Sequence, residues 1–165
     1  MEQLSHEIKR RDDHPTIGPR IMLTGSTLAF GDSKVIDLIE QTGASIVIEE
    51  FCEGIESYWE DVETDGNLLH ALADCYFMRK LPGAFFRGAA KERFARMIKL
   101  AEDFTIDGMA YYSLMYRDAY DVEAYLFSQK MKDMNLPFIK LTSDYDANES
   151  GALKTRIEAF IEMIS

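Results

Sequence analysis

Short apolar runs and longer stretches with helical spacing alternate along the chain. The runs RIMLTGS, ASIVIE, IDGMAYYSL and FIKLTSDY are compact and apolar, which is typical of strands buried on both faces of a parallel sheet. Between and after them lie stretches with the spacing of a helix that buries one face: SKVIDLIEQTG, LLHALADCYFMRK, KERFARMIKLAEDF, DVEAYLFSQKMKDMN and GALKTRIEAFIEMI. In the fourth stretch the apolar positions are Val122, Tyr125, Leu126 and Met131.

Strands that alternate with helices predict a parallel sheet with crossover connections. We therefore predict an α/β fold, a three-layer sandwich of flavodoxin-like kind with a four-stranded parallel sheet, as a single domain over residues 20–165. Its functional site is expected at the carboxyl ends of the strands. Residues 1–19 are mostly polar or charged and end in Pro19, so we interpret them as a leader or the remnant of a linker.

The charge balance narrows the classes of partner. Eighteen basic residues stand against 29 acidic ones, a net charge of −11, which argues against a general nucleic-acid or anionic-membrane binder. Small molecules or proteins are the expected partners. No apolar stretch has the length of a membrane span, and the N-terminus lacks the apolar region of a signal peptide. These features predict a soluble, cytoplasmic protein.

Charged residues are also unevenly distributed. Residues 49–66 hold eight acids and no lysine or arginine, whereas residues 79–99 hold seven basic residues and one acid. Blocks of this kind are usually solvated faces. The alternative is that the basic block faces an anionic ligand or an acidic partner.

Familiar catalytic and cofactor motifs are absent from the sequence. The loop TGSTLAFGDS ends at a predicted helix N-terminus, where backbone N–H groups attract phosphate or carboxylate, but it matches neither a Walker loop nor GxGxxG. We favour an ordinary tight strand-to-helix turn over an anion-binding loop, and flavin binding has no specific support. Cys52 and Cys75 can form neither a disulfide framework nor a closed zinc site. Buried or idle thiols are the simpler interpretation.

Polar residues at the predicted strand ends are the best candidates for a binding site. Arg117 follows the third strand and can hold a carboxylate or phosphate with two parallel hydrogen bonds. The alternative is a surface arginine that meets a nearby carboxylate. The candidate substrate-binding residues are Gly25, Ser26, Arg117, Asp118 and Tyr120.

Several phrases resemble one family: IMLTGS, IVIEEFCEG, IDGMAYYSLMYRDAYDVEAY and TSDYDANESGALKTRIEAFIEMI. Over residues 19–165 the chain resembles the carboxyl-terminal domain of the D component of 2-hydroxyacyl-CoA dehydratases, a family that includes benzoyl-CoA reductase subunits. The resemblance implies a part of a lyase or oxidoreductase that acts on an acyl-CoA thioester. It also implies a related second subunit, an ATP-dependent iron–sulfur activator, and a [4Fe–4S] cluster held by three cysteine thiolates.

The chain departs from this family pattern at one informative position. MYRDAY, residues 115–120, matches a family phrase similar to Lys-Phe-Cys-Asp-Pro-Tyr, so the iron–sulfur ligand falls on Arg117. A guanidinium has no lone pair for a metal. We therefore expect no iron–sulfur cluster in this chain alone. A cluster-free accessory or anion-binding protein remains an alternative, and a flavodoxin-like electron carrier is a weaker one.

Overall fold

The fold is built around a parallel sheet. The computed structural model describes residues 18–51, 54–80, 90–145 and 150–165. Within them lie four strands: β1 (Arg20–Gly25), β2 (Ser45–Glu50), β3 (Gly108–Leu114) and β4 (Phe138–Ser143). All neighbouring pairs are parallel, in the order β2-β1-β3-β4, and one irregularity interrupts the β1–β2 pairing between Ile21 and Met22. The predicted α/β class and four-stranded parallel sheet are confirmed.

Helices cover both faces of the sheet. The described helices are α1 (Lys34–Gln41), α2 (Leu68–Ala73), α3 (Ala90–Asp103), α4 (Asp118–Asp133) and α5 (Ser150–Ile164), and all except α2 contribute side chains to the two cores. One core packs α1 and α5 against one face, and a second core packs α3 and α4 against the other. Because β3 lies between these layers, all seven of its residues are buried. Within the described residues, no helix has the length and apolar character needed to cross a membrane.

Two helices differ from their predicted form. The stretch predicted as one helix over residues 68–80 is α2 followed by a π-helical turn at Asp74–Arg79. Helix α4 begins at Asp118, three residues before the predicted start, because the Arg117 carbonyl already accepts hydrogen bonds from the backbone N–H groups of Tyr120 and Asp121.

The apolar positions predicted for α4 are mostly not its buried face. Val122, Tyr125 and Leu126 are 49%, 62% and 44% exposed, whereas Glu123 is only 5% exposed. The buried face also includes Ala124, Phe127 and Met131, so the prediction was right for Met131 alone among its four residues. A carboxylate on the inner face of a helix needs a buried partner.

That partner is Arg93 of α3. Its Nε donates to Glu123 Oε1 at 2.7 Å and its Nη1 donates to Glu50 Oε1 at 2.8 Å. All three side chains are buried, so these ion pairs are little screened by water. Arg93 thus connects α3 both to α4 and to the end of β2.

Two hydroxyl groups extend this ionic network into the sheet. Tyr111 of β3 donates to Glu123 Oε2 at 2.5 Å, and Thr24 Oγ1 of β1 lies 3.0 Å from Glu50 Oε2. Burial, followed by the neighbouring Glu123 carboxylate, raises the pKa of Tyr111 above its ordinary value. The phenol therefore remains a neutral hydrogen-bond donor. The network joins β1, β2 and β3 to the helices of one layer.

The charge blocks seen in the sequence meet partly within the chain itself. Arg93 of the basic block binds Glu50 of the acidic block, and Arg79 pairs with Glu60 at 3.1 Å. Part of the basic block therefore neutralises acids of its own chain.

The predicted domain boundary at residue 19 stays a prediction, because residues 1–17 lie outside the described residues. Cys52 also lies outside them.

Replacing Arg93 with methionine should lower the free energy of unfolding by about 3–5 kcal/mol, because two buried carboxylates would lose their cation. Lys91→Met is the matched control, since it removes one positive charge from an exposed position on the same helix and should change stability by less than about 0.5 kcal/mol. Urea denaturation of both variants measures the difference. Equal losses would show that the Arg93 ion pairs do not support the fold.

Candidate functional site

The strand order creates a crevice at the carboxyl edge of the sheet. From β1 the chain passes through α1 to β2 on one side, and from β3 it passes through α4 to β4 on the other. The connections after β1 and β3 therefore diverge. In open α/β sheets, ligands bind at such a switch point, outside the carboxyl ends of the strands. The loops that border it here are residues 26–33 and 115–117.

Gly25 and Ser26 close the base of this crevice. The backbone N–H of Ser26 donates to the Tyr112 carbonyl at 2.8 Å, and its Oγ accepts from the Leu114 N–H at 3.1 Å. A Cβ on Gly25 would lie 1.9 Å from the Tyr112 carbonyl oxygen, and Gly25 has φ +133°. Both residues are thus engaged in joining the end of β1 to β3, and the Ser26 side chain is buried.

A second polar group lies on the α1 side of the same edge. The hydroxyl of Tyr112 donates to Asp32 at 3.3 Å, and Lys34 Nζ donates to the carbonyl of Asp144 at 2.6 Å. Burial, and then the Asp32 carboxylate, raise the pKa of Tyr112 above its ordinary value. Tyr112 is therefore a neutral donor and not a general base near neutral pH. Sequence analysis did not single out Asp32, Lys34 or Tyr112, because no motif marks their contact.

The loop after β3 places charged groups at the mouth of the crevice. Tyr116 adopts a left-handed backbone conformation, with φ +63°, and its side chain is 90% exposed. Arg117 and Asp118 follow and are exposed. The Arg117 guanidinium makes no ion pair with any residue that the structure describes, so the alternative of a surface ion pair is not seen. No carboxylate among the described residues therefore competes for this guanidinium.

The predicted candidate residues all lie at this edge, but they differ in access. Tyr120, in the first turn of α4, is half-buried and packs against the core on the α3 side. With Gly25 and Ser26 engaged in the sheet, Arg117 and Asp118 are the accessible members of the predicted set. A role in substrate binding stays a prediction for all five.

Exposed aromatic rings stand on three loops of the carboxyl edge. Phe30 follows β1, Tyr116 follows β3 and Tyr145 follows β4, and each is more than half exposed. Rings in solvent are available to stack on a planar ligand or to pack on a protein surface. The sequence gives no signal that separates an exposed Phe30 from a core phenylalanine.

Comparison with known proteins identifies the family of this chain. The family model described as 2-hydroxyglutaryl-CoA dehydratase, D-component, matches residues 1–164. The chain belongs to this dehydratase D-component family. It is similar to YjiM of Escherichia coli (strain K12), provisionally named a dehydratase subunit, with 30% identity over 147 residues, 88% of this chain. The matched region is 38% of YjiM, so the chain spans well under half the length of this curated relative.

This D-component chain has few thiol groups that could bind a metal. Within the described part of the chain, no three His, Cys, Asp or Glu side chains come together to hold a metal ion. Cys75 is buried, with its Sγ 3.7 Å from the Glu60 carbonyl oxygen. The chain has two cysteines in all, which is fewer than the three thiolates that the resemblance implies for a [4Fe–4S] cluster. Its residues do not form that ligand set.

An apolar pocket of about 340 Å³ opens beside α1 in this D-component fold. Its lining includes Leu28 after β1, Phe51 after β2, and Ile36 of α1. The carboxylate of Glu49, at its rim, already accepts from the N–H groups of Phe51 and Ile55. The pocket is of a size and polarity suited to a small apolar group.

Replacing Gly25 with alanine should destabilise the protein through the contact of its new Cβ with β3. Gly31→Ala is the control, because Gly31 also has a positive φ, +88°, but nothing lies within 4 Å of a Cβ there. The loss for Gly25→Ala should exceed that for Gly31→Ala by at least about 2 kcal/mol in urea denaturation. Similar losses would mean that strain in φ alone, and not the approach of β1 to β3, requires glycine at position 25.

Proposed function

We propose that this chain contributes part of an acyl-CoA binding site, and a subunit-pairing surface, to an enzyme of the 2-hydroxyacyl-CoA dehydratase or benzoyl-CoA reductase type. The observation that carries this proposal is the exposed Arg117 guanidinium at the mouth of the β1–β3 crevice. Family membership supports the dehydratase class, and the crevice supports the place of binding.

The electrostatics of the crevice favour a phosphate-bearing ligand at Arg117. The chain carries a net charge of −11, so an anion is repelled on average and needs a local cation to bind. A guanidinium binds phosphate with two parallel hydrogen bonds. The exposed rings of Phe30, Tyr116 and Tyr145 supply flat apolar surface near the same edge, on which the adenine of coenzyme A can stack.

The pocket beside α1 supports a place for the apolar part of the ligand. It is lined mainly by aliphatic and aromatic side chains and borders the loop that follows β1. Burying an acyl group there would remove apolar surface from water, which favours binding by roughly 25 cal/mol for each Å² buried. Arg117 would then orient the ligand while the pocket contributes apolar contact.

Helix α2 and the π-helical turn that follows it are the segment that we propose as the contact surface for a second subunit. Six apolar side chains of this segment are at least 43% exposed: Leu68, Leu69, Leu72, Tyr76, Phe77 and Met78. Contiguous apolar surface of this kind is characteristic of protein interaction sites. We propose that the related subunit covers it.

The redox chemistry of the family is not assigned to this chain. Two cysteines and the arginine at position 117 do not provide three thiolates, so we propose no electron transfer through an iron–sulfur cluster of this chain alone. The same guanidinium favours a second candidate function, a cluster-free accessory protein that binds an anionic group at this position.

Arg117→Ala should weaken binding of coenzyme A and of 2-hydroxyglutaryl-CoA about 10- to 100-fold in calorimetry, since charged hydrogen bonds to phosphate would be lost. The control is Lys132→Ala, which removes one positive charge from the last turn of the same helix and should leave affinity nearly unchanged. The thermal midpoint of either variant should stay close to that of the wild type, because both side chains are exposed. Unaltered affinity in Arg117→Ala would refute this role.

Iron and acid-labile sulfide should be far below four of each per chain after anaerobic purification of this chain by itself. The optical spectrum should accordingly lack the broad charge-transfer absorption of an iron–sulfur cluster. Cys75→Ser, measured in parallel, should give the same low values if the thiols present do not build a cluster. A stoichiometric [4Fe–4S] chromophore in the wild-type chain would overturn this interpretation of Arg117.

A further inference from the structure

A small cavity lies away from the carboxyl-edge crevice, between the segment 57–60, the π-helical turn and α3. Its volume is about 20 Å³, close to the space that one water molecule or one monatomic ion occupies. The side chains that matter for its chemistry are Trp59, Glu60, Cys75, Arg79, Lys80 and Arg96.

Arg96 is the unusual member of this lining. Its Nε and Nη2 atoms are buried and have no hydrogen-bond partner among the described residues. The guanidinium carbon lies 4.9 Å from the centre of the Trp59 ring, a cation–π contact that satisfies neither N–H group. Buried donors of a charged group rarely remain unsatisfied in folded proteins, so these two N–H groups are available to an acceptor that is not among the described residues.

The other charges of the lining do not supply that acceptor. The Glu60 carboxylate lies 3.1 Å from Arg79, whose Nε also pairs with Asp74 at 2.8 Å. Arg79 is therefore matched by two carboxylates. Arg96 and Lys80 have no carboxylate partner in the part of the chain that the structure describes. Counting the described residues alone, the cavity has an excess of positive charge, which an anion balances and a neutral water molecule does not.

We propose that this cavity binds a small monovalent anion of halide size between Arg96 and Lys80. A cavity of about 20 Å³ fits a monatomic anion more closely than phosphate or a larger organic acid, and the two N–H groups of Arg96 offer a charge-assisted hydrogen-bonding fork. The π-helical turn supports the assignment independently, because such turns occur frequently at functional sites. The bound anion would tie α3 to the turn that presents the exposed apolar residues of α2.

Trp59 reports on this site, because it is the single tryptophan of the chain and touches Arg96. Sodium chloride is titrated into the full chain against sodium gluconate at constant ionic strength, since gluconate is too large for the cavity. Tryptophan emission should change in a saturable way, with half-saturation on the order of 10 mM. Over the same range chloride should raise the thermal midpoint to a plateau, as a ligand specific for the folded state does.

Variants separate anion binding from a general salt effect. Arg96→Gln should abolish both saturable responses, and Lys80→Gln should raise the half-saturation concentration several-fold. Lys99→Gln, which removes an exposed charge from the same helix, should respond like the wild type. Identical, non-saturable responses in the wild type and Arg96→Gln would overturn the proposal, and the cavity would then be assigned to a water molecule. If Arg96→Gln does not fold, the wild-type and Lys80→Gln titrations decide between these outcomes.

Discussion

The ionic network centred on Arg93 is the constraint on which the rest of the structure depends. A buried guanidinium is stable only when nearby carboxylates compensate its charge. For Arg93 these carboxylates are Glu50 of β2, which pairs with Nη1, and Glu123 of α4, which pairs with Nε. On α4, Glu123 faces inward together with Phe127 and Met131, and Val122, Tyr125 and Leu126 face solvent. The pairing with Arg93 offsets the cost of burying the Glu123 carboxylate.

The position of the network explains how the candidate site is held. Thr24 is the penultimate residue of β1, Glu50 is the last residue of β2, and Glu123 lies in the second turn of α4. All three lie close to the carboxyl edge of the sheet. The network thus holds the first turns of α4 directly behind the loop that carries Arg117. Tyr111 and Tyr112, adjacent in β3, point to opposite faces and join the sheet to a carboxylate on each side.

The proposed function rests on the family of the chain and on its departure from the family pattern at one position. It belongs to the dehydratase D-component family and spans 38% of the length of YjiM, and it exposes an apolar segment after residue 67. Where the resemblance implies a thiolate, this chain has an arginine, whose guanidinium cannot ligate a metal but can form paired hydrogen bonds to an anion. A local cation is well suited to hold a phosphate on a chain that is otherwise strongly acidic.

The amino-acid sequence determined the fold class, because apolar runs alternate with stretches of helical spacing and such a pattern packs into a parallel sheet. It also located Gly25, Ser26, Arg117, Asp118 and Tyr120 at one edge, since the carboxyl ends of parallel strands meet there. Only the tertiary structure decided which of them are accessible, since Ser26 is occupied by hydrogen bonds to β3. The sequence likewise could not show which face of α4 is buried, or that two N–H groups of Arg96 are buried without a hydrogen-bond partner among the described residues. Both features depend on contacts between residues far apart in the chain, such as Arg93 with Glu50 and Arg96 with Trp59, and hydrophobic periodicity carries no information about such pairs.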